Sequence, residues 1–434
     1  MNKNKTNWVA VLTMMFLFGM ISFVTNLAAP IGTIWKSQPG IDGSATWGMM
    51  GNMMNFLAYL FMGLPAGKLI LKFGYKKSTL IGVAVGFIGV FIQFLSGKVG
   101  VGSHIGDLPA NFFVYLFGAF VCGISVCILN TVVNPMLNLL GGGGNKGNQL
   151  VQIGGTFNSL MGTLTPILVL GLVGRITAET QIANVNVVLY IAMGVFLATF
   201  AVLSFVPFVE PEQTTDKSDA TVKSLLKYKH LVYGVIAIFF YVGVEVGIPG
   251  TLIFYLSDTL GTETAAATAG AVAGVYWLLM LVGRFSSSLI SGKVSSRTQL
   301  TVTCAVAIAL VVAAICIPDS VTTKMPAYDV ERGFEMATVP MSALLLVLCG
   351  LCTSVMWGTI FNLSIEGLGK HSALASGMFM TMVVGGGVLP LVQNAFVNPT
   401  EPSSYMTSYW IIVAALAYML WFAVLGSRVK KEVK

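Results

Sequence analysis

Charge is what this chain has little of: 9% of its 434 residues are Asp, Glu, Lys or Arg, where soluble domains carry about 25%. With 56% hydrophobic residues and a mean hydropathy of +0.83, that scarcity excludes a soluble globular domain and implies a polytopic membrane protein. Histidine is rarer still: His104, His230 and His371 lie in or beside loops and form no ligand cluster. The six cysteines, Cys122, Cys127, Cys304, Cys316, Cys349 and Cys352, all sit in apolar stretches without partner histidines, so no metal or redox centre is expected. A membrane-embedded enzyme would need a catalytic set at membrane depth. The apolar runs hold no histidine, no His/Asp cluster and no serine–base pair, so the chain is not expected to be an enzyme or to carry a cofactor. A removable leader is not expected either. The run from Trp8 to Trp35 follows Lys3 and Lys5, but it exceeds the roughly 7–15 residues of a signal-peptide core and lacks a clear cleavage site. It reads as a retained first span.

What is present is a series of long apolar runs. They fall near residues 8–35, 47–71, 78–96, 111–140, 149–174, 186–209, 231–257, 265–291, 299–317, 341–366, 372–396 and 405–427, here spans 1 to 12. An even number puts both termini on one face. Of the 24 Lys and Arg, only Lys36, Lys98, Arg175, Lys324 and Arg332 lie in the loops of the opposite face, and Arg284 lies inside span 8. The positive-inside rule therefore predicts cytoplasmic termini; the membrane expected is a bacterial inner (plasma) membrane. That placement accounts for the net charge of +7 without nucleic acid.

The polar segment Glu210–Lys229 divides the chain into a bundle of six helices (1–209), a cytoplasmic linker (210–229) and a second bundle of six (230–434). The fold class expected is thus all-α, with twelve transmembrane helices. Pro318–Pro340, acidic and without a motif, reads as a surface loop. A weak repeat relates Gly155-Thr-Phe157-Asn-Ser159 of span 5 to Gly377-Met-Phe379-Met-Thr381 of span 11, with Pro166 and Pro390 further along. Two parallel repeats with substrate between them at the midplane is a known transporter architecture. The glycines of 383–389 (VVGGGVL) read as sites of close helix approach.

The chain is organised around residues 122–166. Two apolar stretches meet there at Gly141–Gly144, and each carries amides: Asn130, Asn134 and Asn138 before the break, Gln152 and Asn158 after it. Polar groups at membrane depth usually face a bundle interior or a watery cavity. Asn130, Asn134 and Asn138 step by four and share a helix face, as Gln152, Thr156 and Ser159 do on the next span. Two polar, uncharged stripes suit a ligand with many hydroxyls, which points to a sugar.

Gly63-Leu-Pro-Ala-Gly67-Lys-Leu-Ile-Leu-Lys72-Phe-Gly74-Tyr-Lys76-Lys77 resembles the cytoplasmic loop motif of the major facilitator superfamily, without its usual acidic residue and with Lys68 near that place. Gly283-Arg284 with Gly292-Lys293 looks like the counterpart in the second half. Within that superfamily the chain resembles the fucose–galactose–glucose symporters. The likeness rests on Asn134-Pro135 with Leu140-Gly141, Thr156-Phe157-Asn158-Ser159, Tyr241-Val-Gly243-Val-Glu245-Val, and Thr359-Ile-Phe361 with Ile365-Glu-Gly-Leu-Gly369-Lys-His371. It continues in Ala375-Ser376-Gly377, Gly385-Gly386 and Pro390. The resemblance implies monosaccharide uptake, often proton-driven, by rocking of two halves. Three positions depart from it. Asn26, four residues before Pro30, stands where proton-coupled members carry an aspartate; Asn130 replaces a glutamate; Gly155 replaces a glutamine. An amide cannot exchange a proton near neutral pH.

Sorting the charges by place leaves two inside the membrane, Glu245 and Arg284. Glu245 near the middle of span 7 reads as a coupling residue, for a proton or Na+, or as a grip on a sugar hydroxyl; the bland alternative is a satisfied contact between helices. Arg284 reads as a snorkelling or gate-bracing residue beside Lys293, and Lys68, Lys72, Lys76 and Lys77 as gating residues at the cytoplasmic face. For the sugar, the candidates are Asn26, Asn52, Tyr59, Asn130, Gln152 and Asn158 in the first half. In the second half they are Glu245, Trp277, Trp357, Asn362, Gln393 and Asn394. Amides and acids serve hydroxyls, and aromatic faces serve C–H patches; for each amide the alternative is interhelical glue. The function expected is a monomeric secondary transporter taking up a hexose or deoxyhexose by alternating access in membrane lipid. Sodium ranks first as coupling ion, ahead of a passive facilitator, with proton symport through Glu245 last. A non-transporting sugar sensor is the alternative from another class, although the tails here are short for a signalling segment. A drug exporter would have a more apolar site.

Overall fold

The computed structural model describes residues 8–140, 144–174, 180–205, 225–262, 264–290, 294–329, 333–366, 368, 372–398 and 400–428. Twelve helices in it are long and apolar enough to cross a membrane, from Trp8–Lys36 to Ser403–Gly426. They match the twelve apolar runs one for one. The expected linker 210–229 lies outside the described residues except for its last five.

Prolines and glycines set the breaks. Span 1 is two helices, Trp8–Asn26 and Ala28–Lys36, separated at Leu27. Pro30 has no N–H to return to the Asn26 carbonyl, so the helix bends there. Spans 2 and 3 run Met50–Leu95 and turn at Gly74, whose φ of 78° and ψ of 174° suit a residue without Cβ. Span 11 is Ser372–Met382 followed by Gly385–Asn394. Pro390 leaves the Gly386 carbonyl without its helical donor, and Asn52 of span 2 donates to that carbonyl at 2.8 Å.

Spans 1 to 6 pack among themselves, as do spans 7 to 12, giving two bundles of six. Span 5 lies along span 8, and span 2 along span 11; these two pairs form the seam. The triple glycine sits on it. A Cβ at Gly385 would come within 1.9 Å of the Phe239 carbonyl of span 7, and one at Gly387 within 3.0 Å of Met53 in span 2. The packing reading of those glycines holds.

Pro318–Pro340, expected as a surface loop, forms a hairpin over most of its length. Strands β1 (His104–Ile105) and β2 (Leu108–Pro109) form a small hairpin after span 3, and β3 (Thr322–Asp329) and β4 (Gly333–Pro340) form a longer one after span 9. In the second, Thr322 pairs with Pro340 and Asp329 with Gly333. Met325, Ala327 and Val339 are buried while Lys324, Pro326 and Met336 are exposed. That period of two lets one face of the hairpin sit on spans 8 and 10. Both hairpins lie on the face opposite the termini, here the distal face.

Candidate functional site

At the seam, span 5 offers span 8 a groove of small residues. Gly162 lies under the Trp277 ring, whose Cδ2 would be 2.8 Å from a Cβ there. About two turns toward the termini, Gly155 lies under Arg284, with Nη1 3.3 Å from where a Cβ would stand. Without a side chain in the way, Arg284 Nη1 donates to the Gly155 carbonyl at 2.9 Å and to Ser159 Oγ at 3.1 Å. Its Nη2 pairs with Glu245 Oε1 at 3.4 Å, and both side chains are 14% exposed. Tyr241, one turn before Glu245, donates to the same oxygen at 2.9 Å. The Tyr241 ring meets that of Trp357 at 6.0 Å, edge to face. One carboxylate thus holds a guanidinium and a phenol, and the guanidinium reaches across to the other bundle. Arg284 is neither snorkelling nor isolated: Glu245 is its counter-ion. Lys293 lies outside the described residues.

The first bundle supplies amides at intermediate exposure. Asn130 donates to the Tyr59 hydroxyl at 2.7 Å, and Asn134 donates to the Asn130 carbonyl at 3.1 Å. Asn158 donates to the Phe18 carbonyl of span 1 at 3.3 Å. Asn26 donates within its own helix, to the Ser22 carbonyl at 2.9 Å and the Ser22 hydroxyl at 3.2 Å. In each of these amides one N–H points to a fixed acceptor, so the carbonyl oxygen is oriented. The side chains of Asn138 and Gln152 lie outside the described residues.

Exposure sorts the remaining candidates. Asn26, Asn130, Asn158, Glu245 and Trp357 are half-buried, and Asn362 is exposed. Tyr59 is buried and takes part through Asn130. Asn52 is buried and spent on Gly386. Trp277 is buried against span 5, not set in lipid. Gln393 and Asn394, both 0% exposed, correct the expectation that they meet the sugar. Gln393 donates to Ser408 at 3.4 Å, and Asn394 to Thr251 at 2.9 Å, so both tie span 11 to its own bundle. For them interhelical glue is the role.

At the terminus-bearing face, Lys68, Lys72 and Lys77 are exposed around the Gly74 turn. Lys76 donates to the Ser204 carbonyl at 3.1 Å, in the last turn of span 6. A cation there meets the negative end of the helix dipole. His230 is buried at the start of span 7, its Nε2 3.0 Å from the Glu366 carbonyl. Among the described residues no group of three His, Cys, Asp or Glu is placed to hold a metal ion.

Sequence reasoning missed a second charged site. Lys36, read as a loop residue, is 3% exposed at the distal end of span 1. It pairs with Asp258 at the distal end of span 7, at 2.8 Å. The signal available was positional: the two charges close equivalent spans of the two halves.

The sequence matches the Major Facilitator Superfamily over residues 11–391. It is 28% identical over 440 residues to the glucose/galactose transporter of Brucella abortus biovar 1 (strain 9-941), covering 98% of this chain and 96% of the other. It is 21% identical over 364 residues to the L-fucose-proton symporter of Escherichia coli (strain K12), covering 78% and 76%. Among solved structures, the E. coli fucose:proton symporter FucP superposes with a TM-score of 0.67 at 19% identity, over 98% of this chain and all of that one.

Proposed function

The chain belongs to the major facilitator superfamily, in its fucose–galactose–glucose symporter branch, and from that premise we propose that it takes up a neutral monosaccharide by proton symport through Glu245. The substrate class follows from the similarity to a glucose/galactose transporter together with the half-buried amides Asn26, Asn130 and Asn158. Oriented amide oxygens and the Trp357 face suit a hexose or deoxyhexose. Glu245 and Arg284, the charges beside the span 5–span 8 contact, neutralise each other, which favours an uncharged ligand. The protein works as a monomer in a bacterial inner membrane, with cytoplasmic termini.

The Glu245–Arg284 pair carries the choice of ion. A Na+ site at Glu245 would seat a cation beside a guanidinium already 3.4 Å from the same carboxylate. Two positive charges there repel, and the Tyr241 donor takes up another lone pair. A proton needs no such room. Taken up by Glu245, it cancels the charge that holds Arg284, and so weakens the grip of span 8 on Gly155 and Ser159. Proton symport therefore replaces sodium as the favoured coupling. With Asn26 and Asn130 unable to exchange protons, Glu245 is the acid left for that work.

Uptake of labelled glucose, galactose and fucose into proteoliposomes, under an inward pH gradient and separately under an inward Na+ gradient, tests the reading. Accumulation with the pH gradient alone is the outcome predicted. Accumulation with Na+ alone overturns the proton assignment, and no uptake of any of the three overturns the substrate class.

A further inference from the structure

The distal face holds a charged lock that the sugar site does not use. Lys36 Nζ donates to Asp258 Oδ2 and to the Tyr405 hydroxyl, both at 2.8 Å. Tyr405 in turn donates to Asp258, closing a ring of three groups. The ammonium also lies 4.6 Å from the centroid of the Phe254 ring. Lys36 belongs to span 1, while Asp258 and Phe254 belong to span 7 and Tyr405 to span 12. Every partner of the ammonium is therefore on the opposite bundle.

A lysine at a helix end could extend into water. This one turns inward, and its stem fills a slot made for it. A Cβ at Gly48 would lie 2.6 Å from Lys36 Cγ, and the Lys36 carbonyl is fixed by the Gly43 N–H at 2.8 Å. Close by, Thr46 donates to the Asn394 carbonyl at 3.1 Å, a second bond between the bundles at the same face. Burying an ammonium is favourable only while its partners stay in place.

We infer that Lys36, Asp258 and Tyr405 are the distal gate of the transport cycle: a latch whose bonds from Lys36 to the second bundle exist only while the distal side is closed, and which sets the sugar-free carrier to rest closed on that side. Opening breaks both bonds from Lys36 at once, leaves Tyr405 on Asp258 within the second bundle, and delivers Lys36 and Asp258 to water, which rehydrates both charges. Opening is thus opposed but not forbidden. The inference rests on the alternating-access reading above, though not on which sugar or ion is carried.

The test needs no sugar. Spin labels at Val101→Cys in the first bundle and Thr262→Cys in the second, both exposed at the distal face, report its opening in a Cys316→Ser background. Pulsed electron resonance on the full chain in nanodiscs should show one short distance. Lys36→Met and Asp258→Asn should each raise the ratio of open to closed carriers by about tenfold or more, the size of losing a charge-assisted bond. Tyr405→Phe should move it the same way by less. Asp258→Asn and Tyr405→Phe leave the core volume unchanged, so they carry the test if Lys36→Met does not fold. Exchange of the two charges, Lys36→Asp with Asp258→Lys, should return the short distance. Folded variants that all keep the parent distances overturn the latch. If distances shift but no sugar is taken up by the parent, the latch stands and the substrate reading falls.

Discussion

Among single residues, exposure separates those proposed to meet a sugar from those that hold helices together. Asn158 is half-buried with its N–H on the Phe18 carbonyl, leaving its oxygen for a hydroxyl. Asn158→Ala should weaken sugar binding by about 1–3 kcal/mol, the usual cost of an unpaired buried polar group. Equilibrium binding checks this, and unchanged affinity would remove Asn158 from the site. Asn394→Ala should behave differently, because Asn394 bonds only within the protein. It should lower the unfolding temperature while affinity in the folded fraction stays the same. Arg284 sits between these cases. Arg284→Met leaves Glu245 without its counter-ion and should cost about 3–5 kcal/mol of stability, as breaking a buried pair does. Glu245→Gln in the same chain should recover part of that, as a double-mutant cycle by thermal unfolding can show. None of this sorting is visible along the chain. Glu245 and Arg284 stand out as charges in apolar runs, but their pairing joins two spans and needs the bundle. Gln393 and Asn394 look as suitable as Asn158 until span 11 is rotated toward its own bundle.

At the level of elements, hydropathy locates all twelve spans because a membrane helix must hide its backbone over its whole length. Gly74 and Pro390 likewise mark real breaks. The β3–β4 hairpin went unread, although Lys324-Met-Pro-Ala327 alternates out and in with the strand period. Lys36 was hidden by a different effect: a charge at the end of a span looks the same whether it turns outward or inward. Two outcomes test the elements. Gly385→Val should prevent folding or lower the unfolding temperature sharply, because the added carbon meets the Phe239 carbonyl of span 7. Gly67→Ala, with open space around it, should be nearly neutral; equal effects from both would contradict the packing account. At the Gly74 turn, replacing Lys76 and Lys77 together by Gln should slow uptake and leave sugar affinity almost intact. Lys76 holds the end of span 6, not the ligand. A pure affinity loss would argue against a gating role.

For the whole molecule, two bundles meet along spans 5 and 8 and spans 2 and 11, with polar ties at two depths. Arg284 grips span 5 through Gly155 and Ser159, and Lys36 grips spans 7 and 12 at the distal face. Under the alternating-access reading proposed above, rocking must release one set while keeping the other. Coupling requires that an ion change the strength of one set. In the proposed proton symport, protonation of Glu245 would do so by discharging the partner of Arg284. Glu245→Gln mimics the protonated form permanently: it keeps a hydrogen-bonding side chain but cannot release a proton. The most direct measurement compares this variant with the parent in proteoliposomes, for pH-driven accumulation of labelled hexose and for exchange of hexose at equal pH. The parent should accumulate and exchange. Glu245→Gln should still exchange but fail to accumulate. Accumulation by the variant at the parent's level, driven by the same pH gradient, would contradict a proton route through Glu245.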